Sequence, residues 1–389
     1  MPASDQGTFA ARFVRMAAGR PHLAAALLAV VTCAVAIVCG VIYARDLESR
    51  YVRDLGNVKL PMWNRSAALH AAALRRQDTL LLYGSSELTI PNPYRASDVF
   101  RKYSTGFQVF PVGRAGTTSL IILQDLAAIG SAIRDKRVVV SVSPAWFYVQ
   151  SSRRDYYAGN FSPLEAYALA FSGELSRSLR RQAARRMLFD ERTLRQDPVL
   201  KLSLQVLANA GPSSAAIYRL VWPLGKLEEL VLRLQDHWRM VWEIRNHSDL
   251  SAGLQRDAGL ERPKGESSAH DPGRPYAAEM LSNLRHSTEW VDLELLLEGL
   301  KQLGARPLLI SMPIAGAFYD REGITPEERH DLYYERLREL ASRHGVPLVD
   351  FEGEDEATSF LSGVGSHLSP EGWFYYDDVL ERFYRGALD

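Results

Sequence analysis

One apolar segment limits what this chain can fold into more than any other feature. The run from Leu23 to Ala44 contains no charged side chain, and a helix of this length rises about 33 Å, enough to cross the ~30 Å hydrocarbon core of a bilayer. A cleaved signal peptide usually has an apolar region of only about 7–15 residues, and no convincing cleavage site follows this run. We therefore predict an uncleaved transmembrane helix at 23–44, and neither a signal peptide nor a buried core helix.

The charges on either side of this run predict its orientation. Arg12, Arg15 and Arg20 precede the run with a single acidic residue beside them, whereas the charges that follow it balance. Because positively charged flanks stay in the cytoplasm, we predict that residues 1–22 form a cytoplasmic tail. Residues 45–75 then form a membrane-proximal linker and helix. The rest of this single-pass protein lies on the periplasmic or extracellular side of the cytoplasmic membrane.

Composition excludes several classes of function. The chain has 46 Lys and Arg residues against 46 Asp and Glu residues, and this balance argues against a protein that binds nucleic acid through its phosphates. The two cysteines, Cys33 and Cys39, both lie inside the apolar run, so the remaining chain can form neither a disulfide framework nor a cysteine metal site. The histidines show no metal-ligand spacing, and we expect neither a metal nor a cofactor.

Beyond residue 75 the chain alternates between short apolar runs and segments with helical periodicity. This alternation is typical of a parallel β-sheet with helices on both faces, so we predict that residues 76–389 form an α/β domain. The stretch 151–285 has a mostly helical pattern and is predicted to be an insertion between the third and fourth strands. The predicted strands are Thr79–Tyr83, Phe107–Val112, Arg137–Val142, Arg306–Met312 and Val346–Asp350.

Two short motifs follow the first two predicted strands, at the edge of a parallel sheet where ligands bind. The first strand ends in Gly84-Ser85-Ser86, and a serine at a glycine-containing strand-to-helix turn can expose a nucleophilic hydroxyl. The second motif contains Gly113 and Gly116, where the backbone can approach a reacting group closely because no side chain intervenes. Alone, the first motif is typical of ordinary loops, and the second could equally be a helix N-cap after a tight turn.

Two further candidates lie at the same predicted edge. The third strand ends in Ser143, followed by Pro-Ala-Trp-Phe; this segment is predicted to form a rim of the pocket, although a packed aromatic loop would show the same pattern. His367 stands just before the last predicted helix, which is the place of the base in a Ser-His arrangement. Together, Ser86 and His367 predict ester chemistry.

Several of these blocks, taken in order, resemble one known family. From about residue 20 to its end the chain is similar to the D-alanyl-lipoteichoic acid biosynthesis protein DltD family, which has an N-terminal membrane anchor and an extracytoplasmic domain of the SGNH-hydrolase type. An ordered set of blocks is far more specific than any single block. The matching blocks are Gly84–Leu88, Gly113–Leu120, Ser143–Phe147 and His367–Trp373.

The resemblance implies an SGNH-hydrolase-like fold and D-alanyl transfer onto an envelope polymer such as teichoic or lipoteichoic acid. It implies that Ser86 is the nucleophile and His367 its general base, and it implies no cofactor. It also implies three partners: a polytopic membrane acyltransferase, a D-alanyl donor and an anionic polymer acceptor. The residues that would line the oxyanion site and pocket are Gly84, Gly113, Gly116 and Ser143.

The chain departs from the family pattern at the third member of a catalytic triad. The family usually has an aspartate three residues before its histidine, and this chain has Val364 there. Another carboxylate could substitute, or Ser86 and His367 could act as a dyad, because loss of the orienting acid lowers the rate without abolishing catalysis. The chain also has Ala145 where the family tends to have glutamine. The acids that could substitute are Asp350, Asp355, Glu354 and Asp377.

Two alternatives to D-alanyl transfer by this chain remain, and the missing aspartate motivates the first of them. One is a non-catalytic adaptor on the same fold, which positions the acyl donor for a membrane-bound acyltransferase. The other is an O-acetyltransferase or esterase that acts on an envelope polysaccharide. Removal of the Ser86 hydroxyl separates the adaptor from both enzymes, and the identity of the transferred acyl group separates the enzymes from each other.

Overall fold

The structure, a computed structural model, describes residues 21–54, 65–89, 92–103, 105–149, 154–209, 211–248, 276–362 and 367–388. The described part contains a five-stranded sheet in the order β2-β1-β3-β4-β5, in which every neighbouring pair is parallel. This confirms the predicted α/β class, and each strand lies close to its predicted run. The strands are β1 (Thr79–Gly84), β2 (Gln108–Gly113), β3 (Arg137–Val142), β4 (Arg306–Ser311) and β5 (Leu348–Asp350).

Helices precede, separate and follow these strands. Before β3 they are α1 (Pro21–Arg53), α2 (Ala67–Arg75), α3 (Ala96–Lys102) and α4 (Ser119–Ile129). Between β3 and β4 they are α5 (Arg154–Asn160), α6 (Pro163–Ala170), α7 (Arg177–Met187), α8 (Glu191–Leu194), α9 (Pro198–Ala208), α10 (Pro212–Ser248), α11 (Tyr276–His286) and α12 (Glu289–Leu303). The last are α13 (Gly316–Glu322), α14 (Pro326–Arg329), α15 (Glu335–His344) and α16 (Pro370–Tyr384).

The helix α1 contains the predicted anchor and is long and apolar enough to cross a membrane. It continues beyond Ala44 to Arg53, because the residues that follow the apolar run include no Gly or Pro that would stop a helix. Within this extension Glu48 and Val52 are buried, so the end of the anchor packs on the following domain. The predicted tail, apart from its last two residues, lies outside the described residues.

Apolar side chains cover both faces of the sheet. Along β1, Leu80 and Leu82 contribute to a core cluster with α16, whereas Leu81 and Tyr83 contribute to a second cluster with α4 and α12. Strands buried on both faces are almost continuously apolar, as β1 is, because neither face contacts water. Since both faces are covered, a ligand can reach the sheet only at the edge where the strands end.

The segment between β3 and β4 is helical in its described part, as its pattern predicts. Helix α6 packs against α4, and the long helix α10 packs against α1, α6 and α9. The insertion therefore connects the sheet domain with α1. The loop predicted for residues 251–275 lies outside the described residues.

Candidate active site

Ser86 lies at the carboxyl end of β1. A short 3-10 helix, Ser86–Leu88, begins one residue after the strand. The Glu87 carboxylate folds back into this turn, where its Oε1 accepts a hydrogen bond from the Ser85 N–H at 2.7 Å. A Cβ on Gly84 would overlap with that oxygen, so the turn needs glycine at position 84. As a result the Ser86 side chain is partly exposed, while Glu87 is buried beneath it.

Gly113 brings the end of β2 into close contact with this turn. It pairs with Gly84 in the parallel ladder and has a φ of +147°, a conformation that residues with side chains rarely adopt. A Cβ on Gly113 would collide with the Gly84 carbonyl oxygen. The backbone of the second motif therefore approaches the Ser86 turn as closely as the sequence pattern predicts.

The hydroxyl of Ser85 links the two loops. Its Oγ donates a hydrogen bond to the Arg114 carbonyl at 3.2 Å and accepts one from the Gly116 N–H at 3.1 Å. Gly116 has a φ of +80°, which directs this N–H toward Ser85. The Gly116 amide thus holds the Ser85 hydroxyl in place next to Ser86. Sequence reasoning assigned no role to Ser85, since a hydrogen bond between loops leaves no periodic signal.

His367 reaches Ser86 from the far end of the chain. Its Nε2 lies 3.5 Å from Ser86 Oγ, although 281 residues separate the two in sequence. Its backbone carbonyl accepts a hydrogen bond from the Ser362 N–H at 2.7 Å, and Ser369 then caps α16 by accepting from the Gly372 N–H. Burial lowers the pKa of His367. The imidazole is therefore neutral at neutral pH, the form that can accept a proton from serine.

Two of the acids proposed to orient His367 have other partners. Both carboxylate oxygens of Asp350 accept hydrogen bonds from Arg338 at 3.0 Å. Asp355 accepts a hydrogen bond from the Tyr334 hydroxyl at 2.8 Å. Among the described residues, no carboxylate contacts the His367 imidazole. The structure thus brings Ser86 and His367 together without placing Asp350 or Asp355 beside them.

The other positions considered for the acid have different surroundings. Residues 363–366, which include Val364, lie outside the described residues. Glu354 ends a short 3-10 helix in which no residue is buried. Burial raises the pKa of Asp377 on α16 to about 8, and its Oδ1 has no hydrogen-bond partner in the described part of the chain. In that part, the arrangement around the serine is a Ser-His pair.

Three carboxyl groups, those of the buried Glu87 and Asp355 and the partly exposed Asp377, make stability depend on pH. Burial raises the pKa of Glu87 and Asp355 to about 7 and that of Asp377 to about 8. The folded protein therefore holds protons that the unfolded chain has already lost, and stability falls as the pH rises through this range. We expect the thermal midpoint of the full-length protein in detergent to be roughly 5 °C higher at about pH 6 than at about pH 8.

The matched variant for this measurement is Asp377→Asn. This variant removes the carboxyl group with the highest pKa of the three. It should therefore reduce the difference between the thermal midpoints at about pH 6 and about pH 8. A midpoint that stays constant or increases from about pH 6 to about pH 8 would contradict the prediction.

Ser143 lies at the end of β3, as predicted. Its Oγ accepts a hydrogen bond from the Ala145 N–H at 3.3 Å and caps the short 3-10 helix Pro144–Trp146. Trp146 and Phe147 are buried, whereas Ala145 is exposed. The segment therefore combines a packed aromatic loop with one exposed position, Ala145.

A small cavity of about 30 Å³ adjoins Gly113. Within it, Nδ1 of the buried His70 lies 2.7 Å from Oδ1 of the buried Asp125. The residues that line this cavity come from β1, β2, α2, α4 and neighbouring segments. Only the fold brings these segments together, so no sequence pattern indicates the cavity. Within the described residues, no group of His, Cys, Asp or Glu side chains is placed to hold a metal ion. The cavity is also lined by Tyr83, Asn160 and Glu165.

Comparison with known proteins identifies the family that this chain resembles over most of its length. The profile of the family described as DltD protein matches residues 61–267 and 276–385. Protein DltD of Bacillus subtilis (strain 168) is 24% identical over 369 residues, which cover 87% of this chain and 91% of that protein. Protein DltD of Staphylococcus aureus (strain NCTC 8325 / PS 47) is 22% identical over 325 residues, which cover 78% of this chain and 81% of that protein.

Proposed function

Because the chain belongs to the DltD protein family, we propose that it transfers a D-alanyl group to a cell-envelope polymer through ester chemistry at Ser86. The DltD family is involved in the D-alanylation of teichoic acids. The proposed acceptor is accordingly teichoic or lipoteichoic acid, or a related polyol-phosphate or glycan. The observation that carries the proposal is the 3.5 Å separation between Ser86 Oγ and His367 Nε2 at the ligand-binding edge of the sheet.

In the first half of the proposed reaction, Ser86 becomes acylated. Its Oγ attacks the carbonyl carbon of an activated D-alanyl ester or thioester, and His367 Nε2 takes the hydroxyl proton. The carbonyl oxygen becomes an oxyanion, for which the Ser86 N–H and the backbone at Gly113 are the proposed donors. The bond to the alcohol or thiol then breaks, and His367 returns the proton to that leaving group.

In the second half, the acyl group passes to the polymer. A hydroxyl of the acceptor gives its proton to His367 while its oxygen attacks the D-alanyl ester on Ser86. The Ser86 oxygen leaves and regains a proton from His367, so the enzyme returns to its initial state. The product is a new ester that carries the ammonium group of D-alanine, which reduces the negative charge of an anionic polymer.

The apolar helix α1 supports a proposal about the side of the membrane on which this reaction takes place. A single N-terminal apolar helix fits a single-pass membrane protein, and the basic residues before it favour a cytoplasmic N-terminus. We place the α/β domain on the outer side of the cytoplasmic membrane. There it would act beside a polytopic membrane acyltransferase of the same pathway, which would supply or receive the D-alanyl group.

The proposal is tested by measuring which acyl group of the cell envelope is lost when the protein is absent. Cell envelopes from the wild type, a deletion strain and a complemented deletion strain are treated with mild base, and the released D-alanine and acetate are quantified. We expect the deletion to lower D-alanine alone, and complementation to restore it. Unchanged D-alanine would overturn the proposal, and a loss of acetate in its place would support an O-acetyltransferase or esterase.

A further inference from the structure

Helix α10 packs one face on the protein, whereas its opposite face is largely exposed in the described part of the chain. It runs from Pro212 to Ser248. Gly225, Glu229 and Met240 are buried on its inner side, and a Cβ on Gly225 would overlap with the ring of Phe171. This tight contact fixes how the helix is rotated about its axis and determines which residues face outward.

The outward face of α10 carries a continuous row of large apolar side chains. The spacing of three, four or seven residues places them along one side of a helix, opposite the buried side chains. Leu220 is 77% exposed and Trp242 is 63% exposed. A row of exposed apolar side chains of this extent marks an interaction site. We call this row the α10 stripe, and it comprises Ile217, Leu220, Leu224, Leu227, Val231, Trp238 and Trp242.

The α10 stripe reaches the membrane-spanning helix at its carboxyl-terminal part. The indole of Trp238 lies against Gly40 of α1, where a Cβ would be 2.7 Å from the ring. The Arg245 guanidinium stacks over the ring of Tyr43 at 5.3 Å. Gly40 and Tyr43 both belong to the uncharged run that crosses the membrane. Because Gly40 lies four residues before the end of this run, Trp238 contacts α1 near the end of its apolar segment.

A second contact fixes the polar side of this junction. Nδ1 of His237 lies 2.6 Å from Oε1 of the buried Glu48. Glu48 follows Gly40 by eight residues, or about 12 Å along α1. The junction thus has apolar and aromatic contacts toward the anchor and an ionisable pair toward the domain, which is the order of groups across a membrane–water interface.

We propose that α10 lies in the outer interface of the lipid bilayer, with the α10 stripe inserted at the boundary between headgroups and acyl chains. The lipid-facing surface of α1 continues directly into the α10 stripe, which identifies lipid as the occupant. Exposed Arg219 and Arg239 flank the stripe, where they can contact anionic headgroups. The helix then holds the α/β domain against the membrane. This inference rests on the anchor and does not depend on the chemistry at Ser86.

The depth of the α10 stripe can be measured with nitroxide labels. The full-length protein, with Cys33→Ser and Cys39→Ser, is labelled at Leu224→Cys or Leu227→Cys and placed in nanodiscs of phosphatidylcholine and phosphatidylglycerol. Glu335→Cys on α15, where the native side chain is exposed, is the matched control. We expect collisions with oxygen to exceed those with a water-soluble nickel complex at the α10 stripe, and the reverse order at position 335.

Two outcomes would overturn the inference. Labels at the α10 stripe that meet the nickel complex as often as the label at position 335 would place α10 in water. Labels protected from both oxygen and nickel would show that a protein, such as a second copy of this chain, covers the stripe. As a check without labels, lipids brominated in their acyl chains should quench tryptophan fluorescence, and Trp238→Phe with Trp242→Phe should remove most of the quenched signal.

Discussion

Ser86→Ala should reduce the base-labile D-alanine of the envelope to the level of the deletion strain. The substitution removes the only atom that can carry the acyl group in the proposed reaction, and loss of a nucleophile in such a pair costs about 10³-fold or more in turnover. His367→Ala should have a similar effect, because the serine hydroxyl is a poor nucleophile without a base. Both variants are expressed at matched levels in the deletion strain, and envelope D-alanine is quantified.

Ser85→Ala is the matched control for this pair. It removes a hydroxyl from the same turn, and with it the hydrogen bonds to Arg114 and Gly116, but it leaves the proposed nucleophile. We expect an intermediate D-alanine content. If Ser86→Ala and His367→Ala retained wild-type content, the protein would act as an adaptor and the Ser-His pair would be structural.

Gly113→Ala should destabilise the domain and abolish D-alanine incorporation. The backbone at this position has a φ of +147°, and the added methyl group would collide with the Gly84 carbonyl oxygen in the neighbouring strand. A side chain at such a position costs roughly 2 kcal/mol or more. The turn before Ser86 must shift to accommodate it. The thermal midpoint of the purified protein and the envelope D-alanine content measure the two effects.

Gly173→Ala is the control for Gly113→Ala. An added Cβ at Gly173 has no heavy atom within 4 Å, so this variant should have a near-native midpoint and near-native D-alanine content. Equal behaviour of the two variants would show that the contact between Gly113 and Gly84 does not determine the geometry of the site.

The sequence predicted the features that depend on local pattern. The five strands follow from short apolar runs, and their common direction places the first two glycine motifs at one edge. The meeting of Ser86 with His367 could be predicted because both motifs border that edge. The prediction divided the chain after Ala44, where charged residues mark the end of the membrane span. Those residues do not stop a helix, so α1 continues without a break to Arg53.

The parts that sequence reasoning missed depend on contacts between distant segments. Asp350 and Asp355 were considered as orienting acids for their charge, whereas packing gives them Arg338 and Tyr334 as partners. Glu87 shows no sequence signal for its position beneath the turn. Its carboxylate folds back only because Gly84 leaves room for it.

The most direct test is whether Ser86 itself carries the acyl group. The full-length protein in nanodiscs is incubated with a synthetic D-alanyl thioester, quenched in acid, digested and analysed by mass spectrometry. Our account predicts one D-alanyl group on the peptide that contains Ser86, none in Ser86→Ala and much less in His367→Ala. Two results would contradict this account. In one, the wild-type protein consumes the thioester but its Ser86 peptide is unmodified. In the other, the D-alanyl group is on another residue.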